Sequence, residues 1–446
     1  MPALRRLRLA VLASALLLAP QPASPQASMR DVLNQLFVFT GGSDPLFLGG
    51  SAGLPGTAVH GDHFIPSESE ANGAVLAFFN NAITSNIANF PLSSTVSSQT
   101  FVFTGGVPTP TSSSFGPIFA ERAPTLGRGR FNAGFSYSRL SFARMRGIPI
   151  SDLKLRFVHQ NVDFPNCDEI FGGDCTELGL PLVEHDVIEL DLDLGIEAQL
   201  YAFYATVGLA DWLDVSLAVP VVRFRFDGTS TAQIVPGGDQ TLHFFGGTPE
   251  DPILSATTRA SDETTGIGDI TTRLKARFVR SDVLDVALLA ELRAPTGREE
   301  NFLGTGEVGG RGLLIASGTF GDFSPHLNAG YTYRGRDIDQ DAVEIIAGFD
   351  HRLSEWATLA VDLLTAFRID GEGVDFPEAV EIEVPYRRVV ERTNIPNIRD
   401  NIVDGSIGMK FRTGAGVVLI ANALVALNDG GLRARIVPTF GIEYGR

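Results

Sequence analysis

Gly266-Ile-Gly-Asp-Ile-Thr-Thr-Arg-Leu-Lys-Ala-Arg-Phe278 decides how the rest of the chain is read. From Ile270 the residues alternate. Ile270, Thr272, Leu274, Ala276 and Phe278 share one parity, and Thr271, Arg273, Lys275 and Arg277 share the other. A polar turn at Arg280-Ser281-Asp282 follows. Alternation then resumes, with Leu284, Val286, Leu288, Ala290 and Leu292 against Asp285, Ala287, Leu289, Glu291 and Arg293, and Pro295-Thr296-Gly297 ends it. Period two sustained for about ten residues on each side of a tight turn is the pattern of a membrane-spanning β-hairpin. Strands of soluble sandwiches are shorter, about five or six residues.

The pattern recurs. Phe131, Ala133, Phe135 and Tyr137 alternate with small polar residues, as do Leu213, Val215, Leu217, Val219 and Val221, and then Phe323 to Tyr333. Val343 to Phe349 pairs with Ala357 to Leu363, and Ile407 to Phe411 with Val417 to Val425, before a last run from Leu432 to Tyr444. These runs predict an all-β fold, an antiparallel transmembrane β-barrel of 12–14 strands over residues 121–446. Short turns at 210–212, 280–282, 321–322, 352–355 and 413–414 alternate with longer connections, the asymmetry of periplasmic turns and extracellular loops. Residues 227–265, residues 370–400 and the loop holding Cys167 and Cys175 are predicted to be extracellular loops.

Composition agrees with a barrel. The chain is 44% apolar yet carries a net charge of −17, and its mean hydropathy is +0.12. An outward apolar face combined with acidic loops gives both at once. So acidic a chain has no footprint for nucleic acid, which needs a basic surface. Residues 1–27 read as a secretory signal: Arg5, Arg6 and Arg8, a short apolar core, then small residues and proline. Beyond them no apolar run of about 18 residues occurs, so a closed barrel is the membrane-integral option left for an exported chain. Cys167 and Cys175, close together in a Gly/Asp-rich loop, are read as a disulfide that orders that loop.

Residues 28–120 lack the barrel pattern. Leu36-Phe37-Val38-Phe39-Thr40-Gly41-Gly42 is echoed by Thr100-Phe101-Val102-Phe103-Thr104-Gly105-Gly106. Between them Ser67-x-x-Glu70 is a capping box. It leads into an amphipathic helix with Val75, Phe79, Ile83 and Phe90 on its apolar face, and Pro91 ends it. This segment is either a small N-terminal domain or a plug whose apolar helix face packs in the barrel mouth.

Two strands carry ladders of charge: Glu189, Asp191, Asp193 and Glu197 on one, Arg273, Lys275 and Arg277 on the other. On the polar parity of a barrel strand these are candidate lumen-lining residues. They could select solutes, or simply pair with one another and keep the interior wet. His159, His185, His326 and His351 match no ligand spacing, no nucleophile motif is present, and neither metal nor cofactor is expected.

Gly266-Ile-Gly-Asp-Ile-Thr-Thr-Arg-Leu-Lys275, Pro295-Thr296-Gly297 and His326-Leu-Asn-Ala-Gly-Tyr-Thr-Tyr333 together resemble the outer-membrane family described as the MetA pathway of phenol degradation. The N-terminal segment resembles, in arrangement only, the hatch of the fatty-acid and toluene channels. Barrels of this kind usually end on an aromatic residue, whereas this chain ends Tyr444-Gly445-Arg446. The resemblance implies a passive channel in the outer membrane of a Gram-negative bacterium. Its surroundings would be outer-membrane lipid and its cargo small apolar or aromatic compounds. A non-transporting, structural or adhesive surface barrel is the alternative.

Overall fold

The computed structural model describes residues 27–39, 44–48, 64, 70–88, 90, 101–104, 107–110, 114–159, 185–237, 243–335, 341–369, 378–383, 386–413 and 416–445. Residues 1–26 of the predicted signal segment and the Cys167/Cys175 loop lie outside these residues. Two helices, α1 (Met29–Asn34) and α2 (Glu70–Ala88), precede the main strands. The strands are β1 (Phe131–Met145), β2 (Leu153–Val158), β3 (Val187–Ala210), β4 (Leu213–Val235), β5 (Ser255–Ile267), β6 (Ile270–Arg280) and β7 (Leu284–Ala294). They continue as β8 (Gly309–Gly318), β9 (Phe323–Tyr333), β10 (Ala342–Ser354), β11 (Ala357–Arg368), β12 (Ile402–Arg412), β13 (Val417–Ala426) and β14 (Ile436–Gly445).

Each barrel strand pairs antiparallel with its neighbours in the order β4-β6-β7-β8-β9-β10-β11-β12-β13-β14-β1-β3, and β3 pairs back on β4. The ring is closed at 12 strands. Closure removes every edge, which a sheet immersed in lipid must do. The predicted lipid-facing parity is on the outside. Leu274, Leu288, Leu292, Leu314, Leu327, Ile407 and Phe440 are all exposed, whereas Thr271, Ser317, Asn328, Asp362, Ser406 and Thr439 are buried and point inward. Exposed aromatics collect at the short-turn end, among them Trp212, Phe278, Phe320 and Trp356, with Trp356 stacked on Phe411 at 6.0 Å. That is an interfacial girdle. Tyr444 belongs to it, packed on Phe131 at 6.1 Å.

β3 and β4 run far past the others, at 24 and 23 residues, and pair along nearly their whole length. A membrane crossing needs about 9–11 residues, so roughly half of this hairpin stands above the lipid. β2 pairs with the upper part of β3 and β5 with the upper part of β4. The four strands form a sheet that projects from the loop end. Here the structure corrects two expectations. Residues 227–265 are largely strand, not loop: outside lipid, Thr, Ser and Arg alternate as well as Leu does, but without the apolar parity that marks a spanning strand.

The second correction concerns Glu189, Asp191, Asp193 and Glu197, which do not line the lumen. They lie on the outer face of the projecting sheet, where Arg156, Lys154 and Arg139 reach Glu189, Asp191 and Glu197 at 2.8, 3.0 and 2.6 Å. The hydrogen bond it donates to Asp191 raises the Lys154 ammonium above its ordinary pKa. Leu190, Leu192, Leu194 and Ile196, the apolar parity, are buried on the inner face. The same parity points inward all along β3, but above the membrane the outside is water and the inside is packed. Polar therefore means outward there and inward below. The reversal falls between Glu197 and Phe203 on β3, and between Val221 and Arg223 on β4.

The inner face of the sheet is packed against the N-terminal segment. Ser28 caps α1 with a reciprocal bond to Asp31. Met29, Val32, Leu33, Leu36 and Phe37 are buried in one cluster with Leu194, Phe224 and Phe226. A Cβ at Gly228 would stand 2.8 Å from Leu36 Cδ1, so glycine lets the turn that follows this helix approach the sheet. The echoed motif is not two equivalent strands. Gln35–Phe37 is a 3-10 turn, whereas Phe101–Thr104 is a strand paired with Val107–Pro110.

Candidate functional site

α2 lies in the loop-end half of the barrel. Phe78, Phe79, Ile83 and Ile87 are buried in a single cluster with wall residues of β1, β3, β4, β10, β11, β13 and β14. Burying each such side chain contributes roughly 1.5–3 kcal/mol. Of the predicted apolar face, Phe79 and Ile83 are fully buried. Phe90 is partly buried, edge-on to Phe119 at 6.1 Å. The Val75 side chain lies outside the described set. Polar residues of α2 are turned back on the helix: Asn80, Thr84 and Asn86 each donate to the carbonyl four residues earlier. Arg146 clamps the helix from outside. Its guanidinium stacks on Phe78 at 5.1 Å and bonds Asp400 at 2.8 Å.

Below α2, residues 114–126 descend through the lumen as an extended strap towards β1. The lumen-filling segment thus runs on past residue 120, and the first wall strand starts at Phe131. The wall clamps this strap through its backbone. Asn328 makes a reciprocal pair with Glu121, accepting from its N–H at 2.7 Å and donating to its carbonyl at 2.8 Å. Ser317 accepts from Ala123 N–H, Asp214 from Leu126 N–H and Thr358 from Phe115 N–H. Lys275 donates to the Arg122 carbonyl at 3.1 Å. Ser114 and Arg122 both bond Asp350, which with Asp362 brackets His326.

A belt of buried charge lies where the strap meets β6–β10. Arg273 bonds Glu291 on the neighbouring strand at 2.6 Å, and Arg311 bonds the same carboxylate at 2.8 Å. Arg311 also reaches Glu344 at 3.4 Å, and Arg334 approaches Glu344 at 3.8 Å. Glu121 of the strap completes the belt, 3.4 Å from Arg273 and 3.8 Å from Lys275. Of the charge ladder predicted on this strand, Arg273 and Lys275 are thus in the lumen against the strap. Arg277, half-buried, sits lower, near Asp285 at 3.6 Å.

The strap hugs the β6–β9 side, where Ala123 packs with Ala287, Leu289, Leu313 and Ile315. Buried atoms of Asp285, Arg311, Ser324 and His326 on β7–β9 have no hydrogen-bond partner among the described protein groups, and the opposite wall, β11–β14 and β1, is alike. Buried atoms of Asn132, Asp362, Asn422 and Glu443 have no hydrogen-bond partner among the described protein groups. Buried polar groups left so by protein are those served by water. Directly above, on the same strands, α2 and the strap leave a cavity of about 140 Å³. Among the described residues, no group of three His, Cys, Asp or Glu side chains is placed to hold a metal.

The signature residues have structural work. Gly268 and Asp269 form the irregularity between β5 and β6. The Asp269 carboxylate accepts from Gly297 N–H at 3.1 Å and from both the N–H and hydroxyl of Thr305 at 2.8 Å. A Cβ at Gly304 would sit 2.3 Å from Asp269 Oδ1, so this position must lack one. Asp269 thereby pins loop 295–308, on which Glu299 and Asn301 hold Arg30 and Met29 of α1. Bonds to a charged acceptor are worth about 1.5–3 kcal/mol each. Asp269→Ala is therefore expected to free this loop and raise the rate of tryptic cleavage after Arg298 by tenfold or more. An unchanged digestion pattern would contradict the assignment.

A closed ring with a lipid-facing belt, an aromatic girdle and a filled lumen defines an outer-membrane β-barrel. Residues 186–371, β3 to β11, match the family described as putative MetA-pathway of phenol degradation. No curated protein matches the sequence. Among solved structures it is similar to an outer membrane channel from Pseudomonas putida F1, at 11% identity over 73% of this chain and 98% of that one, TM-score 0.42. It is also similar to a Pseudomonas aeruginosa FadL homologue, at 10% identity over 71% and 89%, TM-score 0.30. A third likeness is a mutant of the TodX monoaromatic hydrocarbon channel, at 8% identity over 71% and 88%, TM-score 0.31. At these scores the likenesses carry no argument about cargo.

Proposed function

We propose that the protein is a plugged channel for passive uptake of small apolar or aromatic compounds across the outer membrane. The observation that carries this reading is the cavity left under α2 beside the strap, inside a closed ring. Phe90, Phe119, Leu140, Phe142, Ile346 and Leu364 line one part of the cavity and charged side chains the other, and buried polar atoms without a protein partner lie on the lumen wall beneath it. A solute leaving the cavity has a hydrated descent beside the strap rather than through it. The alternative of a purely adhesive barrel gives no reason for an internal cavity aligned with such a wall. Liposomes containing the full chain should take up benzyl alcohol faster than empty vesicles and faster than vesicles holding an unrelated closed barrel. Equal rates would sink the channel reading.

A further inference from the structure

We propose that a groove on the outer wall of the barrel, across β10–β13, docks one phosphorylated lipid of the loop-end leaflet. An acyl chain lies in the groove and the phosphate rests on Arg399 and Arg435. The site is outside the ring and does not depend on what crosses the lumen. Ala347, Leu363, Gly405 and Val425, all outward, stand opposite one another from strand to strand. Gly405 has no side chain and Ala347 only a methyl, while Leu363, Ile407 and Leu427 stand exposed around them. Leu427 leans over the gap, where a Cβ at Gly405 would come 3.3 Å from Leu427 Cδ1. The result is an open groove of about 550 Å³ with apolar outward side chains.

Apolarity alone marks no site here, because the whole belt faces hydrocarbon. Acyl chains are as apolar as leucine, so a concave stretch adds packing contact rather than hydrophobic gain. Preference for one lipid must come from its headgroup. The groove runs up to Leu427, whose N–H bonds the Val403 carbonyl at 2.9 Å, and there two arginines stand. The Arg435 carbonyl accepts from Ala426 N–H at 3.2 Å. Arg435 precedes Ile436, the first outward apolar residue of β14, so it stands where the wall passes from lipid to water. Arg399 is held over the same strands: Asn428 donates to the Asn401 carbonyl at 2.7 Å, and Gly431 N–H to Asp400 at 2.8 Å. Other arginines near this height are paired, Arg139 with Glu197, Arg223 with Glu263 and Arg144 with Asp429. Arg399 and Arg435 are exposed and form no ion pair among the described residues. A guanidinium offers a phosphate two parallel donors. A phosphorylated lipid brings that group to the membrane surface while its chain enters the groove. A zwitterionic headgroup carries its own cation and meets the two arginines less well.

The test is native mass spectrometry of the full chain released from phosphatidylcholine nanodiscs doped with lipid A. One lipid A per chain is expected to be retained. Gly405→Leu, which fills the groove, should lower that retention tenfold or more. Ala347→Leu fills it from the other side and is read if Gly405→Leu fails to fold. Arg399→Gln combined with Arg435→Gln should lower retention of lipid A tenfold and leave that of phosphatidylcholine unchanged, and it is read whatever the groove variants do. Gly312→Leu, outward on β8 with open space around it, is the control and should change nothing. Heat-modifiable gel migration identifies folded variants. Equal retention of phosphatidylcholine and lipid A overturns the proposal, as does retention indifferent to the groove or arginine variants. So does a loss in Gly312→Leu as large as in Gly405→Leu, or a lipid-free dimer in place of the lipid adduct.

Discussion

Replacing Glu121 with alanine is expected to make the barrel leak. In the intact protein the Glu121 carboxylate is buried between Arg273 and Lys275, and its side chain is 2% exposed. Removing it leaves the Lys275 ammonium buried without its carboxylate and beside Arg273 on the same strand, which keeps only Glu291. Breaking a buried ion pair from one side costs about 3–5 kcal/mol, nearly all of it charged against the strapped state, because a released strap lets water reach both cations. The equilibrium between strapped and released lumen should shift by about a hundredfold or more. In planar bilayers this would appear as frequent large openings where the unmodified protein shows few. Asn328→Ala removes the reciprocal pair on the Glu121 backbone, and by the usual worth of neutral hydrogen bonds, about 0.5–1.5 kcal/mol each, should give a roughly tenfold smaller version of the same phenotype. Glu121→Gln keeps shape and partial bonding and should fall between the two. If all three variants conduct like the parent, the strap does not close the lumen.

These contacts explain why the wall was legible in the sequence and the plug was not. Lipid imposes one rule on every spanning strand, so Leu274, Leu288 and Leu327 announce their outward face in isolation. No comparable rule links Glu121 to Arg273, 152 residues away, or Ser114 to Asp350, 236 residues away. Such pairs follow only from the way the chain threads its own ring. The helix was readable because its apolar spacing is local, and its destination was not. The His326–Tyr333 signature is intermediate. Its outward parity reads as barrel, while His326 and Asn328 on the inward parity turn out to engage the network that holds the strap. Likewise the Gly268–Asp269 pair reads as a break in a strand, and only the loop folded onto it shows why an aspartate stands there.

The acidic ladder of β3 failed for a reason that leads to the other large expected effect. Alternation reports which face is buried, not which face is inward; the two coincide with opposite polarity above and below the membrane surface. Arginine placed in turn at the outward positions of β3 should therefore map the lipid boundary. Asp191→Arg and Asp193→Arg stand in water on the projecting sheet and should each change stability by no more than about 0.5 kcal/mol. Phe203→Arg, Ala205→Arg and, on the facing strand, Leu217→Arg place a guanidinium against hydrocarbon, at a cost of about 2–4 kcal/mol near the midplane that declines towards the interfaces. Long side chains near the boundary escape by reaching for the headgroups, so Tyr201→Arg should lie between the two groups. The measurement is the urea midpoint for unfolding from lipid vesicles, followed by the loss of heat-modifiable migration. A step in cost between Glu197 and Phe203 places the membrane surface where the polarity of β3 reverses. A cost as large at Asp191 as at Phe203 would mean that the long hairpin is embedded along its whole length, and that the acidic face needs another explanation.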